Sequence, residues 1–339
     1  MTGKMRAAVA LGAGVLETRT LPRPTAGDGL LLRVTYCGVC GSDRRQVLTI
    51  RKGSEKIVGH EVVGTVVSAA QDLASWRGKR VGVAPRIGCG SCCSCKKGRV
   101  NLCSRPTVIG YQLPGGFAQF LSLPRRAVTQ GNVVEIPEEL GDRTAALAEP
   151  LSCVINGLGL SRVSRGSTVT VIGAGPMGQM FVLLSGRIAD RTYVVEPDGF
   201  RRRFAEQHGA TKSFETAEDV PPTDIVIVAC SSPDAYEAAF EIASEGSVIN
   251  LFGGLDQPFP FDLNRVHYRE LTVHGTSGST PAHFKEALRI LSENPMFGDL
   301  VSHVVPFSTL PAAINSPKSL GPGVMKVLLD PWVVEKPAS

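Results

Sequence analysis

Apolar and polar positions along this 339-residue chain follow two rhythms. Near the N-terminus an apolar run, Ala7–Leu16, is broken by Gly12 and Gly14 and leads into ETRTLPRPTAG, which predicts a first strand and a turn. Lys4 and Arg6 ahead of that run loosely fit a signal peptide, but the two glycines and the turn favour the strand. From Thr168 onward short β-branched runs recur at 168–172, 192–195, 224–230 (DIVIVAC) and 247–252 (SVINLF), with helical stretches between them. Fully apolar strands alternating with helices predict an α/β region, a doubly wound parallel sheet. MKVLLD, 325–330, reads as a last strand.

The composition agrees with a globular chain long enough for two domains: 43% apolar and 20% charged. The net charge of +5 is spread thinly. Its densest runs, Arg201–Arg203 and Lys96–Arg99, are short enough to be solvated faces, so no nucleic-acid groove is expected. Nor does any segment have the ~18 apolar residues of a membrane span. The cysteines total nine, an odd number: five crowd into CGSCCSCKKGRVNLC at 89–103 and four are scattered. That usage fits a reducing compartment, the cytoplasm, with bound metal, and not a secreted disulfide scaffold.

Within the crowd the spacing is Cys89-x2-Cys92-x2-Cys95-x7-Cys103. Two-residue gaps turn successive thiolates toward one ion and the longer gap closes the loop, which suits a four-sulfur structural zinc. Cys93 breaks the rhythm and is expected to point away. An iron–sulfur run would continue with x3-C-P, which is absent here. Such a closed shell leaves no position for chemistry.

A second set offers a vacancy. YCGVCGSD (36–43) and GHEVVG (59–64) supply Cys40, His60 and Glu61, and AEPLSC (148–153) supplies Glu149. A cysteine, a histidine and a carboxylate suit zinc with one position left for water or substrate. Ser42 is close enough in sequence to touch an alcohol bound there, and Asp43 is suited to orient His60. Bland alternatives stand beside each: a structural histidine next to a glycine, a glutamate–proline pair that ends a helix, and small buried thiols at Cys37, Cys153 and Cys230.

TVTVIGAGPMG (168–178) places Gly173-x-Gly175-x-x-Gly178 between a strand and a helix, the context a dinucleotide motif requires. The candidate cofactor residues are Gly173, Gly175, Met177 and Gly178 at the pyrophosphate, with Glu196 and Arg201 at the adenosine ribose. Glu196, eighteen residues beyond Gly178, can accept the ribose hydroxyls of NAD and would repel the 2′-phosphate of NADP. NAD is therefore expected ahead of NADP, although Arg201–Arg203 could also meet a phosphate.

Taken in order, C-G-S-D (40–43), G-H-E-x-x-G (59–64), the cysteine lobe, E-P (149–150) and G-x-G-x-x-G (173–178) resemble the zinc-containing medium-chain dehydrogenase/reductases. Glutamate at 149 and the segment FDLNRVHYRELTVHG (261–275) look like the polyol, sugar and threonine dehydrogenase branch. The resemblance implies a β-rich GroES-like catalytic domain at 1–152 and 279–339, with the zinc lobe at 88–104, interrupted by a Rossmann domain at 153–278. It implies two zinc ions per chain: a catalytic one on Cys40, His60 and Glu149, with Glu61 as ligand or near neighbour, and a structural one on Cys89, Cys92, Cys95 and Cys103. Ser42, Asp43 and Glu61 become the candidate catalytic residues, with Ser42 opening a proton relay.

The activity implied is hydride transfer between NAD and a secondary alcohol or ketone of a polyol, sugar or cyclitol, aminocyclitols included, in a cleft between the domains. An amino-alcohol dehydrogenase is the alternative. A zinc-binding interaction module and a nucleotide sensor are the readings without enzymatic activity. A small-molecule substrate and a homodimer or homotetramer are expected as partners. One departure stands out: where the family often has a histidine after the aspartate, this chain has arginines. The loop carries Arg44, Arg45, Arg51, Lys52 and Lys56. It is either an ordinary solvated loop or the receiver of a phosphorylated or acidic substrate.

Overall fold

The computed structural model describes residues 3–51 and 53–333; Lys52 of the basic loop lies outside them. The chain divides into two compact units, 1–152 with 279–339, and 153–278.

In the first unit β1 (Lys4–Gly12) and β2 (Val15–Pro22) form a hairpin, with Ala10 opposite Leu16; its turn, at Ala13–Gly14, falls inside the run read as one strand, and ETRTLP continues the second strand. Next come β3 (Leu30–Gly38), helix α1 (Gly41–Thr49), β4 (Lys56–Ile57), β5 (Glu61–Ala69), β6 (Arg80–Val83), β7 (Arg86–Ile87), β8 (Thr107–Val108), β9 (Phe120–Leu123) and β10 (Val133–Glu135). β4 joins the hairpin in a three-stranded sheet, and β7 pairs with β8 beside the cysteine lobe. The lobe contains one short helix, α2 (Cys93–Lys96). Val34, Val62, Val66, Val83, Phe117 and Leu121 form the centre of a core from which water is excluded. Helix α3 (Ala148–Ser161) begins at Glu149–Pro150 instead of ending there. Proline is tolerated in a first turn, where its missing N–H has no intrahelical acceptor.

The second unit contains β11 (Thr168–Ile172), α4 (Pro176–Ser185), β12 (Arg191–Val195), α5 (Gly199–Gln207), β13 (Lys212–Phe214), β14 (Thr223–Val228), α6 (Pro233–Ile242), β15 (Ala243–Leu251) and β16 (Thr272–Gly275). Every pairing among these strands is parallel, and their order is β13-β12-β11-β14-β15-β16. Counted within the unit that is 3-2-1-4-5-6, the dinucleotide-binding order, with its switch point between β11 and β14. The sheet interior is aliphatic, with Val169, Val171, Val194, Val226, Ile227 and Ile249 buried.

The chain then adds β17 (Val301–Val305) and β18 (Lys326–Leu329) to the first unit. They complete a seven-stranded sheet ordered β10-β6-β5-β3-β18-β17, with β9 also on β3. β3 is the strand that matters for the site. Gly38 at its end faces Glu61 of β5 on one side and Leu328 of β18 on the other. Among the described residues no helix is long and apolar enough to cross a membrane.

Candidate active site and cysteine lobe

Cys40 and Asp43 sit at the start of α1, just past the end of β3. The Asp43 carboxylate has no exposed surface. Its Oδ2 accepts the Cys40 N–H at 2.9 Å and its Oδ1 lies 3.1 Å from His60 Nδ1. One buried aspartate thus fixes both the cysteine backbone and the imidazole, as expected for a residue that orients a metal ligand. His60 immediately precedes β5, and Glu61 is that strand's first residue. The ligand atoms of Cys40, His60 and Glu61 all lie within 4.8 Å of one another.

The local field favours positive charge. Burial opposes a protonated His60, but the charge and hydrogen bond of Asp43, together with Cys40, outweigh it and hold the imidazole well above its usual range. Lys326, from β18, is 3% exposed. Its Nζ lies 2.5 Å from the Glu61 carboxylate and donates to the Val39 carbonyl at 3.0 Å. Burial opposes its charge too, yet Glu61, Cys40 and Glu149 raise it above its ordinary value. Glu149 is not among the three mutually close residues, but it is 9% exposed in the first turn of α3 and within electrostatic reach of Lys326. Cys40, Glu61 and Glu149 thus lie within electrostatic reach of Lys326, and Asp43 and Cys40 within reach of His60; a thiol, an imidazole and a carboxylate brought together at Cys40, His60 and Glu61 fit a divalent cation. Cys37 is fully buried and burial pushes its thiol well up, which marks it as an inert core thiol.

The lobe is equally definite. Cys89, Cys92, Cys95 and Cys103 bring their sulfurs within 4.8 Å of one another. The Cys89–Cys95 and Cys92–Cys103 separations are 4.0 and 3.9 Å. A tetrahedron with Zn–S of ~2.3 Å has edges of about 3.8 Å, whereas a disulfide needs about 2.05 Å. Backbone N–H groups of Cys92 and Cys95 point at Cys89 and Cys92 sulfurs at 3.3 and 3.5 Å. N–H donors at Ser91 and Cys92 bring the Cys89 thiol down to about 5, while burial lifts Cys95 to about 11. Cys93 is exposed and outside the cluster.

The glycine turn joins the carboxyl end of β11 to α4. Gly173 has φ +93°, and a Cβ there would meet Cys230; a Cβ at Gly178 would strike the Gly173 carbonyl. The helix begins at Pro176, inside the motif, with Met177 and Gly178 in its first turn. Glu196, just past β12, is 6% exposed. It accepts from Ala174 N–H at 2.7 Å and Asp198 N–H at 3.0 Å, which ties it to the turn itself. The Arg201 guanidinium flanks Gly175: a Cβ there would lie 3.9 Å away. Arg202 is bound to the Glu196 and Pro197 carbonyls and to Glu215.

Sequence reasoning missed Lys326, Tyr111 and Gln179. A lysine inside the apolar run MKVLLD was a readable signal, since unpaired lysine is almost never fully buried. Tyr111, whose ring centroid lies 6.0 Å from that of His60, and Gln179, which donates to the Ala174 and Arg201 carbonyls at 3.1 and 2.9 Å, carried none.

Residues 26–138 match the alcohol dehydrogenase GroES-like domain and residues 175–293 the zinc-binding dehydrogenase family. D-altritol 5-dehydrogenase of Agrobacterium fabrum is 32% identical over 88% of this chain and 90% of its own. The chain belongs to the zinc-type medium-chain dehydrogenases. The dehydrogenase is also 27% identical to L-threonine 3-dehydrogenase of Pectobacterium atrosepticum, over 76% of this chain and 75% of that one. It is therefore of the polyol/threonine-like branch. A zinc-binding dehydrogenase of Sinorhizobium meliloti 1021, solved with NADP, superposes with a TM-score of 0.87 at 28% identity, over 97% of this chain and 100% of that one. Membership makes the dehydrogenase an alcohol or ketone oxidoreductase that uses zinc and a nicotinamide cofactor. The interaction-module and sensor readings fall away.

Proposed function

We propose that this dehydrogenase oxidises a secondary alcohol of a polyol, sugar or cyclitol, reversibly, with NAD as hydride acceptor, and holds two zinc ions. The observation that carries the reading is the convergence of Cys40, His60 and Glu61 within 4.8 Å around an imidazole oriented by a buried aspartate. Cys40, His60 and Glu149 would hold the catalytic ion, and Cys89, Cys92, Cys95 and Cys103 the structural one. When bound, zinc supplies Lewis-acid polarisation, which lowers the pKa of an alcohol. NAD supplies the acceptor carbon.

The chain's own residues do the rest. Asp43 accepts a hydrogen bond from the Nδ1–H of His60, so that the Nε2 lone pair would be open to a metal ion displacing the second ring proton. Glu61 keeps its carboxylate paired with Lys326, so it is a near neighbour of the metal and holds negative charge beside it. Ser42, half-buried in the first turn of α1, passes the alcohol proton outward. Gly173, Gly175, Met177 and Gly178 receive the pyrophosphate at the helix N-terminus. Glu196, tied to Ala174 and Asp198, presents its remaining acceptor capacity to the ribose, which favours NAD.

Nine free thiols, four gathered at one point, suit a cytoplasmic protein. Strand β16 at the end of its sheet, with Tyr268 78% exposed beside it, supports assembly into a dimer or tetramer. An amino-alcohol substrate is disfavoured by the cations next to Ser42, described below. The test is a panel of polyols, cyclitols and amino alcohols followed by NADH absorbance on protein carrying two zinc ions per chain. Turnover of secondary polyols or cyclitols supports the reading; no NADH from any of them overturns it.

A further inference from the structure

Beside Ser42 the structure has a pocket of about 480 Å³, within the first unit and within the size range of small-ligand sites. Three of its lining residues are Arg45, Arg51 and Lys56; Ser42, Gln46 and Tyr111 also face it. Ser42 lies two residues from Cys40, and Tyr111 places its ring against His60. The pocket therefore opens next to the candidate metal centre.

Its charge is one-sided. Among the described residues no carboxylate lines it. The nearest acids in sequence are engaged elsewhere: Asp43 with His60 and Cys40, and Glu55 with Arg19 at 2.6 Å. The Gln46 side chain adds a second observation. Its Nε2 is buried and has no hydrogen-bond partner. A buried N–H donor left without an acceptor is free to turn, and an oxyanion bound in the adjoining pocket would give the amide a partner. Lys56 is steadied at the rim by a bond to the Tyr111 carbonyl at 3.3 Å.

We infer that this pocket binds the phosphate of a phosphorylated polyol or cyclitol whose secondary hydroxyl reacts at the adjoining metal site. The inference rests on the dehydrogenase reading and narrows its substrate class. Two guanidinium groups and an ammonium group match a phosphomonoester of charge about −1.5 to −2 better than a single carboxylate, and guanidinium forks suit phosphate oxygens.

The test compares D-glucitol, D-glucitol 6-phosphate and D-gluconate, as substrates and by calorimetric binding to the zinc-loaded protein. The phosphate ester should bind about 100-fold more tightly than glucitol, corresponding to two charge-assisted contacts of roughly tenfold each. That advantage should shrink as sodium chloride rises. The Arg51→Gln/Lys56→Gln variant should lose most of the selectivity for ester over glucitol while retaining two zinc ions per chain, which reports an intact fold. Equal binding of ester and glucitol, tighter binding of gluconate than of the ester, or unchanged selectivity in the variant overturns the inference. The dehydrogenase reading fails separately: the ester would bind, yet no alcohol would yield NADH.

Discussion

The ammonium group of Lys326, on the last strand, lies 2.5 Å from the carboxylate of Glu61, on a strand more than 260 positions earlier in the chain. β3 runs between them, and Gly38 at its end has no side chain to keep them apart. The pair neutralises a buried carboxylate at the edge of the candidate metal site. Glu61 therefore needs no metal for its charge balance.

Lys326→Met should destabilise the protein by about 3–5 kcal/mol, because it leaves Glu61 buried and unpaired. The double variant Glu61→Gln/Lys326→Met should recover most of that loss, as read from urea denaturation of the four members of a cycle. The folded pKa of Lys326 is raised above 10.5. Its stabilising contribution is therefore complete below the unfolded value and is lost as pH rises through the folded one. The penalty should stay flat between about pH 7 and 9. A single-variant loss that the double variant does not relieve would mean the pair is not the cause.

Gly38→Ala should cost as much as breaking that pair. Its Cβ would run into the Glu61 carboxylate and stand 3.0 Å from the Lys326 Cε. Both groups are buried and bound to each other, so neither can give way cheaply. The measurement is the same denaturation midpoint, and the Glu61→Gln background should not absorb the clash, since the amide is as large.

Cys103→Ser should remove one zinc per chain and lower the melting temperature, whereas Cys93→Ser should change neither, because Cys93 is exposed and outside the sulfur cluster. Zinc must compete with protons for thiolates, so the lobe should release its metal as pH falls, never as it rises through neutrality. Metal analysis after dialysis at stepped pH reads both effects. Retention of full zinc by Cys103→Ser would remove that cysteine from the shell.

If Glu196 holds the ribose as proposed, Glu196→Ala should reduce a preference for NAD over NADP by roughly tenfold or more, since the variant would lack the carboxylate that would accept from ribose hydroxyls and repel a 2′-phosphate. It should also loosen the glycine turn, because Ala174 N–H loses its 2.7 Å acceptor. The ratio of kcat/KM for the two cofactors is the direct readout. An unchanged ratio would leave Arg201 as the residue that decides.

Much of this was legible before any coordinates. The convergence of Cys40 with His60 and of the four lobe cysteines was readable from their spacing, and the tight turn at Gly173 and Gly178 from glycines placed between a strand and a helix. The β-branched runs announced β11, β12, β14 and β15 because strands buried on both faces are dominated by β-branched and other apolar residues. Tyr111 was hidden, and although a lysine inside MKVLLD signalled a buried pair, its partner Glu61 was not readable because the contact joins strands far apart in sequence. Glu149–Pro150 was ambiguous between a helix end and a helix start, and only the backbone around it decides which. Gln46 reads as an ordinary polar helix residue; what singles it out is the burial of one nitrogen.

Zinc counting on His60→Ala, with NADH formation and NADH binding followed on the same preparation, tests the central claim most directly. The account predicts one zinc per chain instead of two, no NADH from any polyol or cyclitol, and cofactor binding retained on the glycine turn. Two zinc ions in the variant, or turnover that survives the substitution, would contradict it.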